Sequence, residues 1–234
     1  MTTDSVTIRR WQDLSELVER KFKDRWIYRG VPNHEHKLTP RIGRPGTHKN
    51  SADGLSLPYS LEEEQRILSR FEREARAKFE WEPTTPLEWM ILGQHHLLPT
   101  RLLDWSESLL VAAFFAVEHF RPNIDAAIYA VESPPELPDL SIDPFSNDLG
   151  DAPRLIRPPH INPRITAQQS VLTLHPKPDV PWTANGIHVW KIASSFAFTL
   201  KGILNFCGIH AASLFPDSAD RHTEHLYWEH KWGR

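Results

Sequence analysis

The chain has 234 residues, 40% apolar and 24% charged, with a formal net charge of −3. These are the values of a soluble globular protein with enough chain to bury a core, and they exclude extensive disorder. The longest unbroken apolar run, 109–117, is about half of a membrane span. MTTDSVTIRRW carries no secretion signal, and a lone cysteine, Cys207, excludes an intramolecular disulfide. A cytoplasmic protein without a membrane partner is the expectation.

In chain order, Trp11, Leu14, Leu17, Val18 and Phe22 fall at helical spacing and predict an amphipathic first helix. Arg25 to Gly30 predicts a short strand ended by glycine, and 41–59, rich in Gly, Pro, Ser and Asn, a loop. Leu61, Leu68, Phe71, Ala75 and Phe79 mark a second helix with a charged outer face. A third begins near Pro86 and carries Trp89 to Gln94. Ser106 is the expected cap of a fourth, apolar almost all round and therefore a core helix. Eight prolines between Ser133 and Pro163 predict a long surface loop dividing the chain into two halves. Strands are expected at 126–131, 171–175 and 187–192, a helix at 197–206, and a solvated helix in the His/Glu-rich tail. The fold class is α+β, a mixed sheet packed by helices in one domain spanning 1–234.

Charge is unevenly spread. Residues 20–50 hold nine Lys and Arg against Asp24 and Glu35, a local net of +7, so the remainder carries −10. Such a stretch attracts phosphate on a cofactor or nucleic acid, or is a solvated basic surface.

Four polar clusters sit where a structural sequence would not need them. Arg29 ends an apolar strand, where its planar fork grips a phosphate or carboxylate, or pairs structurally with a carboxylate such as Asp104. Gln94, His95, Thr100, Arg101 and Asp104 lie within a dozen residues between two apolar helices. Burying them is costly unless they pair with one another, so they form either a corner-fixing network or a site where His95 moves a proton and Asp104 orients it. Gln168, Ser170 and Thr173 lead into and along a strand whose alternate residues face opposite ways, an arrangement equally suited to hydrogen bonding a ligand and to an edge strand. The tail residues Glu224, His225, Glu229 and His230 match no metal-site spacing. The chain has no G-x-S-x-G, P-loop, G-x-G-x-x-G or H-E-x-x-H motif.

Tyr28-Arg29-Gly30, GQHHLLPTRLLDWSESLLVAAFFAVE (93–118), RITAQQSVLTLHP (164–176) and GIHAASLFPD (208–217) together resemble the FRG domain, named for its aromatic-Arg-Gly motif. Ser170 stands where that family usually has Gly, Leu172 where it has Phe, and Ser218-Ala219-Asp220 where it has Leu-Asp-Gly. The family's bacterial and phage-related settings imply a toxin or defence effector. Tyr28-Arg29-Gly30 is also similar to the aromatic-Arg pair with which arginine-class ADP-ribosyltransferases hold NAD. That likeness implies an ADP-ribosyltransferase-like fold and NAD as substrate without a metal, with a nucleic acid or protein as acceptor. Tyr28, Arg29, Gln94, Arg101, Asp104, Gln168, Ser170 and Thr173 would bind the dinucleotide, with His95 and Glu229 in catalytic roles. The alternative is a non-enzymatic, nucleic-acid-interacting defence module built on the basic stretch and on Trp26, Trp105, Trp182 and Trp190.

Overall fold

In the computed structural model the described residues are 6–21, 25–46, 58–76, 78–79, 83–159, 162–184 and 186–231. Phe22, Lys23, Lys49 and most of the 41–59 loop fall outside them. The chain runs β1 (Thr7–Ile8), α1 (Trp11–Lys21), β2 (Trp26–Val31), α2 (Leu61–Ala75), α3 (Pro86–His95), β3 (Leu102–Ser106) and α4 (Leu109–Val117). It continues through β4 (Ala126–Glu132), β5 (Arg154–Ile156), α5 (Pro163–Ala167), β6 (Ser170–Leu174), β7 (His188–Ile192), α6 (Ser194–Phe206), α7 (Ala211–Leu214) and α8 (Ala219–Lys231). The architecture is α+β. Seven strands form one mixed sheet in the order β1-β7-β4-β2-β3-β6-β5, with β1 parallel to β7 and all other neighbours antiparallel.

The sheet is weakest at its centre. β2 shares six paired positions with β4, and β3 shares five with β6, yet β2 and β3 meet at only one, Tyr28 with Ser106. Two half-sheets therefore join at a seam. On one face, α1, α4 and α6 bury Ile8, Tyr28, Ile128 and Trp190 over the β1-β7-β4-β2 half. On the same face α2 and α3 bury Leu102, Leu172 and Leu174 over the other half. The opposite face carries Ile27, Leu103, Trp105, Val131 and Val171 beneath Leu38 and Trp182. The groove left between the two helical covers runs along the seam.

Local chemistry accounts for most of these elements. α3 opens with Pro86 at its first turn and a reciprocal capping box between Thr85 and Glu88. Two expectations need correction. The 93–105 block is not a helix–helix corner, because residues 102–106 are a central strand. Leu102 and Leu103 are both buried because both faces of the sheet are covered. Ser106 accordingly ends β3, and Ser108 caps α4 by accepting from the Val111 amide.

The proline-rich stretch also holds more than loop. Its segment 154–156 forms the edge strand β5 on β6, with Pro153 just outside, where a missing donor costs nothing. Nor is the tail merely solvated. α8 docks through His225, which is buried and stacked on His210 with ring centroids 3.9 Å apart. Arg221 of α8 also pairs with Glu118. No helix among the described residues is long and apolar enough to cross a membrane.

Candidate functional site in the seam cleft

Two adjoining cavities open onto the seam, with volumes of about 390 and 200 Å³. Both are lined by Leu97, Asp104, Gln168, Ser170 and Phe215, so they are two ends of one cleft. The size suits a nucleotide-scale ligand.

The floor is set by Arg29. Strand alternation places it opposite Tyr28, but beyond the single Tyr28–Ser106 pair the strands part and its guanidinium enters the gap. Nη1 donates to the main-chain carbonyl of Asp104 at 2.5 Å and lies 3.7 Å from that residue's Oδ2. Burial pulls the Arg29 pKa down and Asp104 pushes it back, and an arginine remains charged under any such balance. Asp104 itself projects from β3 with its side chain 61% exposed. Gln94 holds it: the Thr100 hydroxyl donates to Gln94 Oε1 at 2.6 Å, which leaves Nε2 to donate to Asp104 Oδ2 at 2.9 Å. A half-buried arginine and an amide thus position one solvent-facing carboxylate.

The far wall comes from the segment after β5. Asn162 caps α5, its Oδ1 accepting from the Arg164 amide at 2.7 Å. That bond orients the amide so that Nδ2 donates to His95 Nε2 at 2.9 Å. His95 is then the neutral tautomer protonated at Nδ1, and burial followed by the Arg164 charge holds its pKa below the usual histidine range. Arg164 Nε donates to Asp217 Oδ1 at 2.6 Å. Burial raises the Asp217 pKa, but the hydrogen bonds from Arg164, its own amide and Asn162, together with the Arg164 charge, outweigh it and the net shift is downward. Gln168 is tied down too, its Nε2 on the Leu214 carbonyl and its own carbonyl accepting from Ser106. Leu97, which lines the cleft, and Gln169, between its lining residues Gln168 and Ser170, are left-handed non-glycine residues at φ 66° and 47°. Such strain clusters at ligand sites.

The structure thus brings Tyr28, Arg29, Gln94, His95, Asp104, Gln168 and Ser170 to one cleft. Three other expected residues lie elsewhere. Arg101 is buried in a two-pronged pair with Glu64 of α2, at 3.0 and 2.7 Å, and donates two further bonds to the Tyr59 hydroxyl and the Pro144 carbonyl. With 4% of its side chain exposed it cannot reach a ligand. Thr173 faces the opposite side of the sheet, fully buried, where its hydroxyl accepts from Trp105 Nε1 at 2.9 Å. Glu229 sits on α8 beside His225 and Asn205 and lines neither cavity of the cleft.

Of the four tryptophans considered for base stacking, Trp105 and Trp190 are 3% and 1% exposed and belong to the core. Conversely, Asn162 belongs to none of the expected clusters, and Arg164, Phe215 and Asp217 lie in the 164–176 and 208–217 blocks without a site role assigned to them. The Asn-Pro step at 162–163 is a cap followed by a first-turn proline, the one signal that a helix starts inside the proline-rich stretch.

Behind the seam, the Thr173 hydroxyl, which accepts from Trp105, is also hydrogen-bonded to His175 Nε2 at 2.8 Å. His175 is neutral and buried, and desolvation, with Arg29 nearby, drops its pKa to about 3. Below pH 6.5 the unfolded chain takes up a proton that the folded chain refuses, so stability falls with pH until about 3. His175 alone should cost about 2 kcal/mol between pH 7 and pH 5. Urea denaturation at those two pH values reads the loss. His175→Gln, which keeps an acceptor but does not titrate, should flatten that slope; an equally steep slope in the variant would refute the assignment.

Residues 24–124 match the family model of the FRG domain. That span contains β2, α2, α3, β3 and α4, and with them Tyr28, Arg29, Gln94, His95 and Asp104; the 164–176 and 208–217 blocks lie outside it. No curated protein and no solved structure matches the chain.

Proposed function

We propose, from the cleft at its seam and the match of residues 24–124 to the FRG domain model, that the protein is an NAD-using, ADP-ribosyltransferase-like enzyme. The observation that carries this reading is the pairing of one solvent-facing carboxylate, Asp104, with a partly buried guanidinium 3.7 Å away on the floor of the cleft.

Breaking the bond between nicotinamide and ribose builds positive charge on the sugar. A fixed carboxylate stabilises that charge best where it is already oriented. Asp104 takes this part, in place of Glu229. Arg29 binds rather than exchanges a proton, and Phe115 and Phe215 give the cleft aromatic surface against which a flat ring can stack. Nicotinamide leaves, and an acceptor nucleophile or water takes the ribose carbon. The cleft is open to solvent, which suits a macromolecular acceptor, protein or nucleic acid.

Nicotinamide release measured by chromatography tests the reading. Asp104→Asn should lower turnover by about a hundredfold, on the scale of other lost transition-state charge contacts. Arg29→Lys, keeping charge but losing the fork, should lower it about tenfold, equivalent to about 1.4 kcal/mol. Melting temperatures of both should stay within a few degrees of the wild type. Wild-type protein that releases no nicotinamide with water, protein or nucleic acid as acceptor would end the proposal, as would full turnover in Asp104→Asn.

A further inference from the structure

The connection from α3 to β3 places a leucine where glycine fits best. Past the end of α3 the Leu97 amide donates to the Gln94 carbonyl at 3.0 Å, and the Leu98 amide reaches back to the Gly93 carbonyl at 2.8 Å. These two bonds make a Schellman closure, whose C′ position must be left-handed and is usually glycine; here it is Leu97, at φ 66°. Glycine adopts that conformation freely, whereas a residue with a Cβ is strained in it. Packing within the fold does not offset the strain, because Leu97 is 75% exposed. The residue is nevertheless held fast, its carbonyl accepting from Arg41 Nη1 at 2.9 Å. Of the described apolar residues that line the cleft, Leu97 is the one that stands exposed. It lines both cavities, as Asp104 does.

We infer that Leu97 is a substrate-binding residue at the waist of the cleft, packing against the dinucleotide where it passes from one cavity into the other. That the ligand is a dinucleotide rests on the function proposed above; the contact itself rests on the placement of Leu97. Strained backbone persists where function uses it, and an exposed leucine gains from the hydrophobic effect once a ligand covers it. The residues common to both cavities describe what they would hold. Leu97 and Phe215 offer apolar surface, while Asp104, Gln168 and Ser170 offer polar side chains. A ribose carries both kinds of surface, hydroxyls along one edge and C–H groups around the rest of the ring. The waist therefore suits a ribose, and Asp104, which faces the sugar in the proposed reaction, lies at the same place.

Calorimetric titration with ADP-ribose, which has no nicotinamide to lose, reads the contact apart from turnover. Leu97→Asn keeps a residue that tolerates the left-handed region but removes the apolar surface. Its affinity for ADP-ribose should fall about tenfold, the scale of losing much of a leucine's burial. Leu97→Met restores an apolar chain and should bring the affinity back to within about threefold of the wild type. In nicotinamide release, Leu97→Asn should raise KM by a similar factor and leave kcat within about twofold, because the contact holds ground state and transition state alike. Leu97→Gly relieves the strain, so it should melt no lower than the wild type, yet bind ADP-ribose as poorly as Leu97→Asn. Unchanged affinity in the Asn and Gly variants, a loss that Leu97→Met does not restore, or wild-type protein that binds no ADP-ribose overturns the inference. Leu97-dependent ADP-ribose binding without nicotinamide release upholds the contact and removes the transferase reading instead.

Discussion

Gly30→Ala is expected to unfold the protein at temperatures where the wild type is intact. The added Cβ would stand 1.9 Å from the Ala112 carbonyl oxygen and 2.5 Å from the Ala116 amide nitrogen, both main-chain atoms of a buried helix. No side chain can swing aside, so α4 must lift from β2. Ala112, Ala113 and Ala116 on α4 are themselves small and fully buried, and they permit the close approach that Gly30 completes. Overpacking of well-filled cores costs about 1–3 kcal/mol where side chains can adjust. With only backbone to move, the cost belongs at or above the upper end. At roughly 2–4 °C per kcal/mol for a chain of this size, the melting temperature should fall by about 10 °C or more. Gly150→Ala is the control: its φ of 71° strains any side chain, but nothing lies within 4 Å. Its loss should be about 1 kcal/mol. Equal melting shifts for the two variants would show that the helix–strand contact is not what makes Gly30 necessary.

Arg101→Met should be nearly as damaging, and by a different route. It strands the Glu64 carboxylate, 3% exposed, with only the Tyr59 hydroxyl left to donate to it. Removing one partner of a buried pair typically costs about 3–5 kcal/mol, because the remaining charge has no water to return to. Replacing both, as Arg101→Met with Glu64→Leu, should recover much of that loss, since neither apolar side chain needs a partner. Differential scanning calorimetry reads both. A single variant that melts like the wild type, or a double variant worse than the single, would contradict the account. The contrast with Arg29 is functional: Arg101→Met should weaken folding while turnover per folded molecule survives.

Much of the fold was legible in the sequence because its signals are local. Proline and threonine fix the start of α3, hydrophobic spacing reveals α1 and α2, and the apolar 109–117 run can only be a core helix. The central strand β3 was not legible, since Leu102-Leu103-Asp104-Trp105 shows no clean alternation when both faces are covered. The site divides in the same way. Arg29 and Asp104 are named together in the sequence as the structural alternative to ligand binding, and they lie 3.7 Å apart. Thr173 was misplaced although the alternation of 170–174 already put it on the face opposite Ser170. Arg101 was misplaced for a better reason: its partner lies 37 residues upstream on another helix, and nothing adjacent announces it. Phe215 and Asp217 reach the cleft from the far end of the chain, and only tertiary packing brings them there.

The single pair that joins the half-sheets has a topological consequence. β1, β2, β4 and β7 belong to one half and β3, β5 and β6 to the other, so the polypeptide passes from half to half four times. What the hydrogen-bond ladder leaves open, the connections lace shut. Neither half is a contiguous stretch that can be cut out, and the family-matched span of 24–124 is no exception. It keeps β2 and β3 but discards β4 and β6, the neighbours on which each of them is zipped. The recognisable stretch of this chain is thus a sequence signature rather than an autonomous folding unit.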